Sequence, residues 1–551
     1  MKKILSLLLI ALMILSLCAC GAQQDTESAA QEPVAAAEES SAETSSETEA
    51  PAEEVLPDRN EGMLSCEGNL LKITTEEDFA AGETDGLEFT PVGDGSLVLS
   101  AGVTEGTYTS AQYSSAEFTK MVASWNAFIY DGGSVEIFAR ARKTSAAGEE
   151  VVWTDWLTWG EFSQFMVRGT KDGKSGSGAY VDEDTFCSIS GTFDGLQMQA
   201  VVRRESAEID SPVLRLLAMT LKRMDGEAVY AEETVEIPVQ SLCASPAYSQ
   251  EIRAGAIADS ICSPTTMTVM LNTRDPQLGL LPEEFALNSR DNLEGIFGSW
   301  SFCTSFAGNY GYESYTQYAN KDILLQELAQ GRPVGLSVYY SPKRGDGCPV
   351  LTGSYDSTGG HLITIIGYEY EDGIMDDDHL YLFSSDSYAP SDETSYRRYA
   401  WKEMNLCWDG RIAYIIPSLE RDAVDESGKG AVVRVASTLE KAAEKNTYNV
   451  IDADGNIVDL KEIASQGGVF AYTVGGCGVD MTTDAVECDY SIIYPNAITV
   501  AANAKFFYTQ KNSDGSLTLD KSAIYKEAGV SSGVITVYVI TARGYMYIAE
   551  L

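Results

Sequence analysis

Histidine is nearly missing from this chain: His361 and His379 are the only two among 551 residues. With no Cys-x-x-Cys pair either, a structural zinc site has little to be built from, and any catalytic imidazole must be one of these two. Positive charge is scarce as well. The chain sets 38 Lys and Arg against 82 Asp and Glu, so nucleic acid is not an expected partner, because phosphate backbones are held by clustered cations. Beyond the first 20 residues no apolar run is long enough to span a bilayer. No residue pattern calls for a metal or an organic cofactor.

What is present begins with Lys2 and Lys3, an apolar run from Ile4 to Leu17, and then Leu17-Cys18-Ala19-Cys20-Gly21. That order is a signal peptide with a small residue just before a cysteine. It resembles a bacterial lipobox, which implies cleavage ahead of Cys20 and a diacylglycerol on its thiol. The expected location is the extracellular face of a bacterial membrane, of the Gram-positive kind, with Cys20 as the membrane contact. Residues 21–58 follow as Ala, Glu, Ser, Thr, Gln and Pro with 11 acidic and no basic residues. Such a stretch cannot bury a core and reads as a disordered tether. Without the two signal lysines and these 11 carboxylates the formal charge of −44 becomes −35, so the remainder is acidic in its own right.

The remaining length calls for more than one domain. Residues 59–230 show short alternating runs, among them Ser96–Leu99, Val135–Ala139 and Leu214–Ala218, which predict a β-sandwich. Its Trp153, Trp156 and Trp159 leave cell-wall or carbohydrate contact through the β-domains open, although Trp at strand spacing more often packs. Gly169 to Ser175 reads as a polar loop, with one residue too few between its glycines for a phosphate loop. Residues 240–418 change in texture: helical runs at Pro264–Leu271 and Lys321–Leu328 precede strands at Val334–Tyr340, Leu362–Tyr368, His379–Phe383 and Ile412–Ile416. Helices first and strands later predict an α+β domain. Residues 430–551 are β-rich again, with Val534–Ile540 and Tyr545–Ala549 as the clearest strands and Asp452–Asn456 as a hairpin turn rather than a calcium loop.

The α+β segment carries the candidate chemistry. Cys262 precedes Ser263-Pro264-Thr265-Thr266, and proline in a first helical turn places the thiol at a helix N-terminus, where a thiolate is favoured. His361 opens an apolar strand, Asp386 follows the next strand, and Gln250 lies upstream with an amide that could serve an oxyanion. His379 also begins a strand, but Asp376-Asp377-Asp378 mark its end as an exposed turn. Tyr248-Ser249-Gln250, Cys262-Ser-Pro-Thr265-Thr, Gly298-Ser-Trp300-Ser-Phe302, Gly331-Arg-Pro333-Val and Gly360-His361-Leu resemble the C39-like, papain-fold cysteine peptidase family. The resemblance implies Cys262 as nucleophile, His361 as base, Asp386 as the group orienting it, and Gln250 as oxyanion donor. Gly106-Thr-Tyr108-Thr-Ser110, Ser124-Trp125-Asn126-Ala127 and Trp156-Leu-Thr-Trp159-Gly160 are similar to the module that often precedes such peptidases. The family often has Asn-Asp-Pro where this chain has Ser385-Asp386-Ser387.

The expected activity is therefore hydrolysis of a peptide or protein substrate through a thioester on Cys262. Two alternatives use the same fold: a papain-like binding protein without activity, and an amidase or acyltransferase using the same residues. With Cys18 removed, Cys20 lipidated and Cys262 free, eight cysteines remain, an even number that permits disulfides without fixing them. Cys303 and Cys348 could take part, and Cys477 and Cys488 are near enough in sequence to pair.

Overall fold

The computed structural model describes residues 58–418, except 130–131, 146–149, 164–168, 171–174, 254–257, 292–293, 295 and 346, and eleven strand segments between Arg434 and Glu550. Cys20, the acidic tether, Cys488 and much of the Gly169–Ser175 loop lie outside the described residues.

Four long strands dominate the first part: β1 (Tyr113–Phe128), β2 (Gly133–Lys143), β3 (Phe193–Arg204) and β4 (Val213–Arg223). The runs at 135–139 and 214–218 fall inside β2 and β4, and Ser96–Leu99 is a strand with those bounds. β1 pairs with β3 from Tyr113↔Leu196 to Phe118↔Phe193, then with β4 from Phe118↔Arg223 to Phe128↔Val213. One strand thus passes between two layers, as corner strands do. The result is a single hydrogen-bonded network of 14 strands, where two separately paired sheets were expected.

Alternation along these strands sends Trp125, Ile137, Met198 and Leu217 into one core. Of the three tryptophans, Trp159 is fully buried, stacks on Phe186 at 6.0 Å and donates its indole N–H to the Asp184 carbonyl. Trp153 and Trp156 flank the Arg140 guanidinium at 5.0 and 4.9 Å. Gly160 is required by the packing here: its φ is +92°, and a Cβ would lie 1.8 Å from the Gly169 carbonyl oxygen.

The second part is an antiparallel sheet with helices on both faces. Its strands are β5 (Gln240–Leu242), β6 (Tyr315–Tyr318), β7 (Val334–Tyr340), β8 (Thr358–Tyr370), β9 (Leu380–Ser385), β10 (Tyr396–Ala400) and β11 (Trp408–Ile415). They run in the order β6-β11-β7-β8-β9-β10, with β5 on β8. The helices are α1 (Cys262–Arg274), α2 (Pro282–Ser289), α3 (Trp300–Gly308), α4 (Lys321–Ala329) and α5 (Trp401–Cys407). Tyr414 of β11 joins the cluster holding Met267 and Phe302, whereas its neighbours Ala413 and Ile415 join the cluster holding Ile323, Leu324 and Leu328. That alternation assigns α1 and α3 to one face and α4 to the other.

The β-rich part and the α+β part share their core. α3 lies across β1, with the Phe302 ring 6.0 Å from Trp125 and 5.3 Å from Phe162. Buried polar groups fix the seam. Asn126 donates to the Thr304 and Ser314 carbonyls at 3.2 and 2.9 Å and accepts from the Ser314 N–H. The Arg215 guanidinium donates to the Gly308 and Gly311 carbonyls at 2.6 and 3.2 Å. A Cβ on Gly308 would fall 2.6 Å from that of Asn126, so only glycine allows this approach.

Beyond 418 the described strands form sheets of six and five strands. Ile535–Ile540 and Tyr545–Glu550 match the two strands expected, and the antiparallel pair Ile451↔Ile457 flanks the expected hairpin turn, which itself lies outside the described residues. The disulfides that an even cysteine count permits are not formed at the described positions: Cys66, Cys187, Cys243, Cys262, Cys303, Cys348 and Cys407 are all free. Five of these thiols donate instead to carbonyls of their own surroundings: Cys66 to Gly68, Cys187 to Thr185, Cys303 to Phe297, Cys348 to Thr358 and Cys407 to Val350.

Candidate active site

α1 begins at Cys262 itself, two residues before the start predicted from the sequence. Its N-cap, Ile261, offers no side-chain acceptor, so the first-turn N–H groups are left to whatever anion sits there. Pro264 occupies that first turn, where its missing N–H costs nothing. The helix is buried from Ser263 to Asn272, which fixes the axis behind the thiol. β8 begins at Thr358, earlier than expected, so His361 stands inside the strand rather than at its start, opposite Val338 of β7. The register Thr364↔Ser385 then brings the end of β9, and Asp386 after it, alongside the imidazole.

The His361 Nε2 lies 3.1 Å from Asp386 Oδ1, with both side chains fully buried. Nδ1 makes no hydrogen bond, and the Cys262 thiol is close enough to the ring for the two to shift each other's titration. Burial alone would raise the thiol, yet the nearby His361 prevails, with the N–H groups of Leu362 and Ser263 adding to it, and its pKa is lowered. Burial would likewise lower the imidazole, but Asp386 and Cys262 outweigh it and His361 is raised. Asp386 follows the same pattern: burial pushes up, His361 and Tyr399 pull further down, and the carboxyl is held below its ordinary value. The three shifts together favour thiolate beside imidazolium, a pair able to attack a carbonyl and then protonate a leaving group.

Gln250 is fully buried but reaches the site through the Asp386 loop rather than through the thiol. Its backbone N–H donates to the Ser387 carbonyl at 2.8 Å, its Oε1 accepts from Ser387 Oγ at 2.6 Å, and its Nε2 donates to the Ala258 carbonyl at 2.7 Å. His379 stands at the opposite end of β9 from Asp386, paired with the exposed Asp376 at 2.7 Å. Six residues of extended chain, roughly 20 Å at about 3.3 Å each, separate it from the end where His361 lies.

Three tyrosines complete the site, and two of them, Tyr340 and Tyr399, carry no sequence signal. Tyr399 and Tyr340 donate to Asp386 Oδ2 at 2.8 and 3.3 Å, and Tyr388 stacks on the His361 ring at 3.8 Å, nearly parallel at 5°. Tyr340 and Tyr399 arrive from β7 and β10, so only the sheet order brings them together; Tyr388 sits two residues past Asp386 and could have been suspected from that alone. Beside Tyr388 opens a cavity of about 640 Å³ lined also by Glu251, Asp259, Tyr355, Asp356, Ser357 and Pro390.

The described residues thus bring a thiol at a helix start close to a histidine held by an aspartate at one end of an antiparallel sheet. Residues 244–413 match the Peptidase_C39 like family, and residues 69–221 match the Peptidase C39 N-terminal domain. The chain thus carries a C39-like peptidase domain behind the N-terminal module of such peptidases. No curated protein matches it. Among solved structures that match is a chain described under "Structural basis for the promiscuous specificity of the carbohydrate-binding modules from the beta-sandwich super family". It is 14% identical, covers 30% of this chain and 58% of its own length, and has a TM-score of 0.12, too low to indicate a common fold.

Proposed function

We propose that the protein is an extracellular, lipid-anchored cysteine peptidase of papain-like α+β arrangement that hydrolyses peptide bonds through a thioester on Cys262. The observation that carries this reading is the Cys262–His361–Asp386 constellation, with His361 Nε2 on Asp386, both of these buried, and the half-buried Cys262 thiol interacting with the imidazole. The thiolate attacks the scissile carbonyl, and the resulting oxyanion is met by the second Gln250 amide hydrogen and the uncapped N–H groups of α1. His361 gives its proton to the departing amine, leaving the acyl group on sulfur. It then takes a proton from water, whose oxygen attacks the thioester and frees Cys262. Asp386 keeps Nε2 protonated and the ring in place throughout.

The test is peptide-library profiling of the mature chain beside a Cys262→Ala control. Cleavage products from the first and none from the second are expected. Products with an added amine acceptor in place of water would mean acyl transfer, and a thiol that reacts no faster than free cysteine, with no products, would mean a binding protein.

A further inference from the structure

Tyr388 is joined to the site at three points. Its ring lies face to face on His361 at 3.8 Å and 5°. Its backbone N–H donates to Asp386 Oδ1 at 3.1 Å. Its hydroxyl lies near enough to the Thr358 side chain, three residues before His361 on β8, for the two to interact. A ring tied to Asp386 by its own backbone N–H moves with the carboxylate that holds the imidazole. The half-buried Tyr388 also forms part of the wall of the 640 Å³ cavity, so it stands between the imidazole and that open space.

Resting on the reading of Cys262 and His361 as a reacting pair, we infer that Tyr388 is a positioning residue that keeps His361 as imidazolium and keeps its bond to Asp386 dry. A cation over an aromatic face is attracted by the ring quadrupole, and more so where water is excluded. The other groups facing His361 are Asp386 from the end of β9, the Cys262 thiol from α1, the Tyr340 ring edge-on from β7 at 6.3 Å, and Glu251, whose carboxylate interacts with the imidazolium through space. Among these Tyr388 alone covers the flat of the ring. Removing it leaves the charges in place and removes the cover, so the ion pair loses stability at both edges of its pH range.

The experiment measures turnover and Cys262 alkylation by iodoacetamide against pH in the mature chain and in Tyr388→Phe, Tyr388→Leu and Tyr388→Ala. In the Leu and Ala variants the alkaline limb of turnover should fall to lower pH and the acid limb of alkylation should rise to higher pH, each by roughly one unit. Tyr388→Phe keeps the stacked face, so both limbs should stay in place. Tyr388→Leu fills the space without a π face and carries the test if Tyr388→Ala does not fold. Unmoved limbs in a folded Leu or Ala variant, with only KM changed, would make Tyr388 a wall of the cavity and overturn the inference. A wild-type chain lacking selective alkylation would instead overturn the peptidase reading itself.

Discussion

Burial pushes Cys66, Cys243 and Cys303 up to about 11 and Cys407 up to about 12, and it raises Cys187 as well. Cys262 is half-buried rather than buried, and among the described cysteines it is the one whose pKa is lowered: burial pushes it up, but a raised imidazole stands beside it and prevails. Iodoacetamide at mildly acidic pH should therefore label Cys262 ahead of these five, and peptide mapping that found Cys303 or Cys407 labelled first would refute the ion pair. The same two shifts fix the pH profile. Below the lowered thiol value the nucleophile is protonated, above the raised imidazole value the general acid is gone, so turnover should be bell-shaped with its plateau between them. Substitutions should be unequal: Cys262→Ala abolishes turnover and labelling, His361→Ala comes close, and Gln250→Ala costs about 10² to 10³ in turnover while sparing labelling. Asp386→Ala should be the mildest by its orienting role, although it also strands the hydroxyls of Tyr340 and Tyr399 in the interior, which adds a stability loss readable by thermal unfolding. Cys262, His361 and Asp386 were legible because a helix start, a strand and a strand end each leave a local signature. Tyr340 and Tyr399 were not, since they belong to the site only through cross-strand neighbours.

At the scale of elements, sequence patterning served well where one face is buried and the run is short. The segment Val334–Tyr340 has the bounds its alternation predicts, and α4 runs one residue past its predicted end, with Asn320 as its cap. The 16 residues of β1 were harder to read, because Ser114, Ser115, Glu117 and Lys120 interrupt the apolar pattern on a strand that changes layers midway. α1 was predicted short for a related reason: a helix buried all round has no polar face to mark its start. The seam between α3 and β1 was not foreseen at all. Truncating Phe302 to Ala should cost about 3–5 kcal/mol by the cavity left against Trp125 and Phe162. Because the core is shared, calorimetry should show one transition moved as a whole. Two transitions, of which only one responds, would mean that the parts unfold independently.

For the whole molecule, the net charge of −44 and the acidic stretch at 21–58 set the outer behaviour. Limited proteolysis should remove that stretch first and then cut between Glu420 and Lys429, where Glu, Asp, Ser and Gly cluster after the last strand of the second sheet. Resistance there until global unfolding would mean the tail is fused to the rest. Replacing Cys20 with Ala should abolish diacylglycerol incorporation in bacteria fed a labelled fatty acid, and unchanged labelling would remove the anchor from the picture.

The Gly308 approach to Asn126 also bears on the order in which the chain is made. β1 through β4 leave the ribosome before α3 does, so the strands carrying Trp125 and Phe162 are made before Phe302 arrives to cover them. The leading module is thus a casting surface for the one that follows. Its sequence is constrained along β1 by a helix encoded far downstream, and a change at Asn126 or Trp125 would be felt in α3 and its surroundings as well as in the module's own sheet.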